Sequence, residues 1–197
     1  MSTGLIQVYT GNGKGKTTAS LGIALRAIGQ GLSVYMIQFL KSGETGELFS
    51  VKKYLPRLKI VQFGKDALEE KQVTIYEYDG DAEIKPRGPK GQFYIFLPDR
   101  EEKEPSRRAL EHAWHVAKTE AYDILILDEI NCALDKGLIT IEEVMKLIDE
   151  KPEHVEVIMT GRNCPEEIIK IADLVSEINE IKHPFSKGVL ARRGIDF

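Results

Sequence analysis

The stretch Thr10-Gly11-Asn12-Gly13-Lys14-Gly15-Lys16-Thr17-Thr18 decides the fold of this 197-residue chain. It lies between an apolar run, residues 5–9, and a helical pattern that begins at Ala19. Three glycines let the backbone bend until successive N–H groups point inward, and the following helix presents its positive N-terminal end to the same point. Lys16 adds a mobile charge for the outer phosphates, and Thr17 a hydroxyl for a magnesium ion. The pattern predicts a phosphate-binding loop for a nucleoside triphosphate.

One position departs from the usual spacing of such loops. The rule places a first glycine five residues before Gly15, where this chain has Thr10. Gly11 and Gly13 keep the loop flexible, and the strand before it and the helix after it are the context that separates real phosphate loops from chance matches. The alternative, a glycine-rich turn with an exposed lysine, explains less of the pattern.

Composition limits the classes of protein to consider. With 42% hydrophobic and 29% charged residues, the chain is typical of one soluble domain over residues 1–197. It begins without a signal-peptide pattern and has no run long enough for a membrane span, so we expect a cytoplasmic protein without a membrane partner. A formal net charge of −4 argues against nucleic acid as a partner. Cys132 and Cys164 form no CxxC pair, so neither a zinc site nor a structural disulfide is predicted.

Short β-branched apolar runs alternate with helical patterns along the chain. This alternation predicts an α/β fold of the P-loop NTPase-like (RecA-like) type, a mostly parallel sheet flanked by helices. Predicted strands cover residues 5–9, 33–40, 59–63, 122–128, 155–160 and 174–181. Predicted helices cover residues 16–30, 106–119, 141–150 and 165–172, with Ser106 and Thr140 as N-caps and Pro165 in a first turn.

Residues 64–105 interrupt the alternation. This stretch is rich in Lys, Glu, Gly and Pro, and Tyr78-Asp79-Gly80-Asp81 suggests a hairpin turn between short strands. The run Arg100-Glu101-Glu102-Lys103-Glu104 is most simply a solvated segment. Long irregular stretches inside a compact domain are usually functional, so we expect an insertion or lid here.

A second chemical feature is the buried apolar strand that ends in Asp128 and Glu129. Carboxyl ends of parallel strands line the ligand crevice, so these acids should face the phosphate loop. One carboxylate can bind magnesium directly or through water, while the other orients a reactant or the water shell of the metal. Arg162 follows another predicted strand at the same edge and could reach a phosphate oxygen, although an ordinary turn with a solvated arginine explains it nearly as well.

His112 and His115 are three residues apart on a predicted helix and share a face. Without a third ligand nearby in sequence, a packed or exposed pair is favoured over a metal site. Leu110 and Trp114 on the same helix are predicted core residues.

These residues predict a magnesium-dependent nucleotide enzyme but do not indicate which reaction it catalyses. Hydrolysis, phosphoryl transfer and alkyl transfer from the nucleotide all use the same cradle, so the loop does not choose among them.

Several separated blocks, in order along the chain, resemble the P-loop class of cob(I)alamin (corrinoid) adenosyltransferases. The Thr at the head of the loop belongs to that family's pattern. The blocks cover residues 9–19, 38–41, 127–131, 160–165, 172–175, 181–185 and 193–197.

The resemblance implies that Co(I) of a reduced corrinoid attacks the 5′ carbon of ATP and displaces the whole triphosphate, a step of cobalamin biosynthesis. Lys16, Thr17 and Glu129 would be the catalytic residues, with Mg²⁺ (Mn²⁺ as the alternative ion) on Thr17 and Glu129 and with Asp128 beside them. The nucleotide would lie reversed relative to kinases, so that Asn12 and Lys14 contact the phosphate tail. The remaining ATP-binding positions would be Gly11, Gly13, Gly15, Thr18, Lys41 and Arg162.

The resemblance also implies partners. These are ATP, reduced cobalamin or cobinamide, a reducing protein such as a flavodoxin, and a second copy of the chain in a homodimer. The corrinoid side is where the chain departs from the family, because Gly91-Gln92-Phe93-Tyr94-Ile95-Phe96 lacks the family's tryptophan. Phe93 and Phe96 either cover the lower face of the macrocycle or form the core of a hairpin.

Two other functions fit the loop. A small-molecule or nucleoside kinase would need a base for the acceptor hydroxyl and often a lid arginine. A RecA-like ATP-dependent motor or switch protein would need a basic binding face, which the net charge does not indicate.

Overall fold

Parallel strands form the centre of the molecule. The computed structural model describes residues 3–43, 45–64, 76–77, 85–86, 100–119 and 122–196. The strands in these residues are β1 (Ile6–Thr10), β2 (Val34–Phe39), β3 (Leu58–Phe63), β4 (Tyr76–Glu77), β5 (Lys85–Pro86), β6 (Ile124–Asp128), β7 (Glu156–Thr160) and β8 (Leu174–Glu177). Six of them form one sheet in the order β3-β2-β6-β7-β1-β8, with every neighbouring pair parallel. Strands β4 and β5 pair antiparallel in a separate ribbon.

Helices cover both faces of the six-stranded sheet. They are α1 (Lys16–Gly29), α2 (Gly46–Tyr54), α3 (Arg100–Thr119), α4 (Ile130–Asp135), α5 (Ile141–Glu150) and α6 (Glu166–Ile171), followed by a 3₁₀ turn at Pro184–Lys187. None of the helices within the described ranges combines the length and the apolar composition of a membrane span.

Successive side chains of a strand point to opposite faces of the sheet, so the core is divided into two layers. In β6, Leu125 and Leu127 join the larger cluster, which includes residues of α3 to α6, whereas Ile124 and Ile126 join the cluster under α1. Every residue of β2 and of β6 is buried, as expected for inner strands of a parallel sheet covered on both sides. The sheet is therefore the rigid element on which the site is built.

The register brings the carboxyl ends of the inner strands to one edge. Gln38 is the register partner of Asp128, and Tyr9 is the partner of Thr160. Strand β7 lies between β1, which leads into the phosphate loop, and β6, which ends in the acidic pair. The loop and the acids thus face each other across one strand.

The predicted fold class is confirmed: a parallel sheet flanked by helices, with a P-loop type strand, loop and helix at its start. Predicted strand and helix positions agree with the structure to within a few residues for most elements. Thr140 caps α5 with a complete capping box to Glu143, as predicted. The single domain and its insertion at 64–105 stay predictions.

Two expectations about local structure were wrong, and two helices were not predicted. Strand β8 ends at Glu177 rather than at 181, because the chain leaves the ladder there and Ile178 bonds to the phosphate loop. Pro165 precedes α6 as its N-cap instead of lying in its first turn. Helices α2 and α4 lie where no element was predicted, because α2 buries no residue and so has no apolar stripe, and α4 has only 6 residues.

The start of α3 was also wrong. The helix begins at Arg100, so residues 100–105, predicted as solvated and irregular, are helical, and Pro105 lies inside the helix. Arg, Glu and Lys are strong helix formers, so the helix begins before the Pro-Ser pair, a pattern that usually marks a helix start. Ser106 is therefore not an N-cap: it is fully buried, and its hydroxyl has no hydrogen-bond partner in the part of the chain described.

Helix α3 packs His112 as expected. Its Nε2 lies 2.6 Å from the Tyr35 hydroxyl, and its ring contacts the rings of Tyr35 and Phe63. Leu110 is buried and Trp114 packs against the core, while His115 is exposed. The turn at 78–81 and the segment 91–96, with Phe93 and Phe96, lie outside the described residues.

Replacing Ser106 with alanine tests the revised start of α3. Because the hydroxyl is buried without a partner, we expect S106A to leave the free energy of unfolding unchanged or to raise it by up to ~1 kcal/mol. T140A, which removes a working cap, should cost ~1 kcal/mol. Urea denaturation of both variants measures this; a loss for S106A as large as for T140A would restore the capping role.

Candidate active site at the carboxyl edge of the sheet

The phosphate loop is held from behind by the chain that follows β8. The amide of Gly13 donates to the carbonyl of Ile178 at 2.7 Å. A Cβ at Gly11 would lie 2.4 Å from that carbonyl oxygen, and a Cβ at Gly13 would lie 2.8 Å from it. Gly15 differs, because its surroundings are open and only its φ of +119° demands glycine. Packing thus requires glycine at Gly11 and Gly13, and the φ of 98° requires it at Gly11 as well.

Lys16 lies inside the loop rather than in solvent. Its ammonium donates to the carbonyls of Gly11 and Gly13, both at 2.8 Å, and the residue is 7% exposed. Burial lowers the pKa of Lys16, an effect that the nearby Glu129 carboxylate opposes. The side chain is therefore preorganised at the loop by contacts that an anion can replace.

The Asp128 carboxylate is the centre of the site, and it is fully buried. One oxygen, Oδ1, accepts from the hydroxyls of Thr17 at 2.8 Å and Thr160 at 2.7 Å. The other, Oδ2, accepts from Gln38 at 3.1 Å and from the Lys41 ammonium at 2.7 Å. One carboxylate thereby joins α1, β2, β7 and the turn after β2 to the end of β6.

A row of polar side chains continues from Asp128 toward β3. Gln38 also donates to Glu47 at 3.2 Å, and Gln62 donates to the Gln38 carbonyl oxygen at 2.9 Å. The Lys41 ammonium lies 3.4 Å from the Thr17 hydroxyl oxygen, so it contacts both members of the Thr17–Asp128 pair. These contacts fix the orientation of every polar group around the carboxylate.

Glu129 follows Asp128 directly, but its backbone conformation and its carboxylate partner are different. Its backbone is left-handed, with φ of 64°, and its amide donates to the Thr160 hydroxyl at 2.9 Å. Its carboxylate accepts the Cys132 thiol at 2.8 Å, and that sulfur accepts the Arg162 amide at 3.2 Å. Burial and the Glu129 carboxylate raise the pKa of Cys132 to about 12, so the thiol stays a protonated donor.

Backbone strain is concentrated at this edge. In the described residues, the non-glycine positions with positive φ are Leu40, Glu129 and Asn163. Leu40 directly follows β2, Glu129 directly follows β6, and Asn163 lies in the turn after β7. Such conformations cost of order 1 kcal/mol each and persist where surrounding contacts impose them, often at ligand sites.

The C-terminal segment reaches the open side of the loop. Asp196 pairs with the Lys14 ammonium and accepts from the backbone amide and the Nε of Arg192 at 2.8 and 3.1 Å. Lys14 and Arg192 hold the pKa of the Asp196 carboxyl well below its usual range. A carboxylate therefore neutralises the most exposed lysine of the loop.

Together these groups can bind a polyphosphate and a hard divalent cation. Thr17 and Asp128 place a hydroxyl and a carboxylate 2.8 Å apart, the oxygen pair that holds magnesium in P-loop enzymes. No cluster of three or more His, Cys, Asp or Glu side chains suited to a metal occurs within the described residues. This donor set suits a cation that keeps most of its ligands from water and phosphate rather than a metal caged by protein.

Comparison with known proteins identifies the reaction class. The model of the family ATP:corrinoid adenosyltransferase BtuR/CobO/CobP matches residues 2–197. The chain belongs to this family. It is 32% identical to the corrinoid adenosyltransferase of Escherichia coli K12, over 98% of this chain and 86% of that protein. It is 34% identical to a corrinoid adenosyltransferase of a Sinorhizobium species, over 98% and 80%, and 31% identical to the one of Salmonella typhimurium LT2, over 98% and 86%.

Family membership confirms the resemblance seen in the sequence and favours adenosyl transfer over the kinase and motor alternatives. The structure brings Lys16, Thr17, Asp128 and Lys41 of the predicted site together, and Glu129 lies next to them. Arg162 is exposed, its amide donates to the Cys132 sulfur, and its positive charge contributes to the lowered pKa of Lys16. Ligand-binding roles for these residues and for Asn12 and Thr18 stay predictions.

Sequence reasoning missed three residues of the site. Gln38 and Thr160 bond to Asp128, and Asp196 pairs with Lys14. Gln38 lies near the carboxyl end of one apolar strand, and Thr160 is the last residue of another. A polar residue at the end of an apolar strand indicates a position at the ligand edge of the sheet, so both could have been found from the sequence. Asp196 gave no such signal, because it is 182 residues from its partner.

The Lys14–Asp196 pair predicts a change in affinity for the phosphate tail. Asp196 and a phosphate would compete for the same ammonium, so we expect D196N to bind ATP about two- to fivefold more tightly at low salt. Isothermal titration calorimetry at two salt concentrations measures this. D149N, which changes an exposed carboxylate of α5, is the control; weaker ATP binding by D196N would mean that Asp196 supports the loop instead of competing for it.

Proposed function

We propose that the protein transfers the 5′-deoxyadenosyl group of ATP to the Co(I) centre of a reduced corrinoid and releases triphosphate. The observation that carries this proposal is family membership over residues 2–197, and the phosphate loop with its Thr17–Asp128 hydrogen bond supports it. The product is an adenosylcobalamin-type cofactor, which places the chain in cobalamin biosynthesis.

The chemistry explains why the site has few reactive side chains. The electron pair of Co(I) forms the bond to the 5′ carbon, the bond from that carbon to the triphosphate oxygen breaks, and the oxygen keeps the bonding pair. Cobalt is oxidised formally to Co(III) in this step. No proton is transferred, so the enzyme needs no general base, and Cys132 with a pKa of about 12 is not a competing nucleophile.

The residues of the loop act on the leaving group. As negative charge grows on the departing oxygen, the Lys16 ammonium and the N-terminal end of α1 stabilise it. Lys16 is already buried beside the loop, so little reorganisation is needed at the moment of reaction. Lys14 lies on the open side and would contact the phosphate tail, with Asn12 beside it.

The oxygen donors at the edge fit a magnesium ion, with Mn²⁺ as the alternative. Thr17 would be the direct ligand, and Asp128 would accept a hydrogen bond from a metal-bound water in place of one of its four present donors. Glu129 would complete the shell once its carboxylate leaves Cys132. Such a cation supplies charge that stabilises the departing triphosphate.

The partners belong to the same proposal. The chain would act as a homodimer in the cytoplasm, with a flavodoxin-like protein as the source of electrons. Apolar side chains after β8 support an interface with a second copy, since Ile181, Phe185, Leu190 and Ile195 are between 65% and 98% exposed. Contacts to the corrinoid by Phe93 and Phe96 stay a prediction.

The phosphorus product distinguishes the proposed reaction from its alternatives. With Mg-ATP and chemically reduced cobalamin, we expect tripolyphosphate and the visible spectrum of adenosylcobalamin. Phosphorylated acceptor with ADP would indicate a kinase, and ADP with inorganic phosphate a motor or switch protein. In K16A both products should fall at least 100-fold, because the loop loses its buried cation; K170M, which changes an exposed lysine of α6, should keep full activity.

Substitutions of Asp128 and Glu129 should change the magnesium requirement of the enzyme in different ways. We expect D128N to lose at least 100-fold in turnover and about 3 kcal/mol in unfolding free energy, because an amide nitrogen in place of one buried oxygen leaves donors that now pair with Asp128 without an acceptor. E129Q should fold normally and need severalfold more Mg²⁺ for half-maximal rate. Rates over a range of Mg²⁺ concentration, with E167Q as an exposed control, measure this. An unchanged Mg²⁺ requirement in E129Q would remove Glu129 from the metal shell.

A further inference from the structure

One ammonium group lies where the chemistry of the site calls for a metal ion. The Lys41 Nζ is 2.7 Å from Asp128 Oδ2 and 3.4 Å from the Thr17 hydroxyl oxygen. These two residues are the oxygen pair of the proposed magnesium site. Lys41 therefore contacts both groups that a metal ion would use.

A cation is needed there whether or not nucleotide is bound. Asp128 is fully buried, and a buried carboxylate without a counter-charge is strongly unfavourable. Among the described residues, Lys41 is the cationic side chain that forms an ion pair with Asp128. It supplies the charge that the metal would otherwise supply.

The geometry of Lys41 allows its side chain to leave without moving the backbone. The Leu40 amide bonds to the Phe63 carbonyl at 2.9 Å, and Gly64 packs so closely on the Lys41 carbonyl that a Cβ there would lie 2.4 Å away. The backbone is thus fixed on β3, whereas the Lys41 side chain is 28% exposed. A four-carbon stem on a fixed backbone can carry its ammonium several ångströms.

We propose that Lys41 is the resident cation of the metal position: its ammonium holds Thr17 and Asp128 in place in the empty enzyme and moves to a polyphosphate oxygen when the metal–nucleotide complex enters. Repulsion between two cations that share one carboxylate drives the ammonium away, and the negative phosphates provide its new partner. The inference rests on the proposed nucleotide site.

The proposal predicts opposite changes in two affinities. Without Lys41, Mg²⁺ alone meets no competing cation, so K41M should bind Mg²⁺ at least tenfold more tightly than the unchanged protein. Magnesium tripolyphosphate loses a contact, so K41M should bind it at least tenfold more weakly. A merely structural role for Lys41 would weaken both affinities, and a solvated lysine would alter neither.

The experiment needs no corrinoid. The rise in Tm with Mg²⁺ concentration gives the first affinity, and calorimetric titration with magnesium tripolyphosphate gives the second. The variants are K41M, K41R, which keeps the charge, and K170M as the exposed control. Opposite shifts confined to K41M support the proposal; shifts of the same sign, or none, overturn it. Since adenosyl transfer is not measured, a failure here leaves the proposed function standing.

A measurement on the unchanged protein covers the case in which K41M does not fold. Acetylation by an N-hydroxysuccinimide ester, followed by mass spectrometry, reports how far each lysine is exposed. Mg²⁺ alone should increase labelling of Lys41 severalfold, because the ammonium is released from Asp128, and magnesium tripolyphosphate should reduce it again. Labelling of Lys41 that does not respond to Mg²⁺ overturns the proposal, and Lys170 serves as the internal control.

Discussion

The buried carboxylate of Asp128 is the interaction on which the site depends. It accepts four hydrogen bonds, from Thr17, Gln38, Lys41 and Thr160, and each donor comes from a different part of the chain. A buried charge of this kind is tolerated only when every lone pair is used. Satisfying it aligns the start of α1 with the ends of β2, β6 and β7. The same group that positions the site is thus also a condition for folding this edge.

Much of this arrangement could be predicted from local sequence. The glycines and Lys16 require a loop between strand and helix, and an apolar strand that ends in Asp128 requires a place at the ligand edge. Local patterns do not show which strands are neighbours. Thr160 lies 32 residues from Asp128 and Gln38 lies 90, so their bonds depend on strand order, which periodicity does not contain. Ser106 shows the opposite error, because helix propensity extended α3 past an apparent cap.

Electrostatics at the edge explain why the chain can be stable with a site full of charge. The Lys16 ammonium donates to backbone carbonyls, Lys41 pairs with Asp128, and Lys14 pairs with Asp196. Each of these three lysines has an internal partner that is weaker than a polyphosphate would be, since none of these partners carries more than one charge. Polyphosphate binding would therefore exchange contacts of these lysines instead of bringing unpaired charges together.

The contact between the phosphate loop and Ile178 has an evolutionary consequence. Gly11 and Gly13 face the chain after β8 at distances that leave no room for a side chain, independently of any nucleotide. The packing of an edge strand therefore constrains these two positions whether or not they also bind a ligand. A lineage that lost its activity would keep both glycines for as long as it kept this fold. Their retention in a relative is consequently evidence of shared architecture and not, by itself, of a shared reaction.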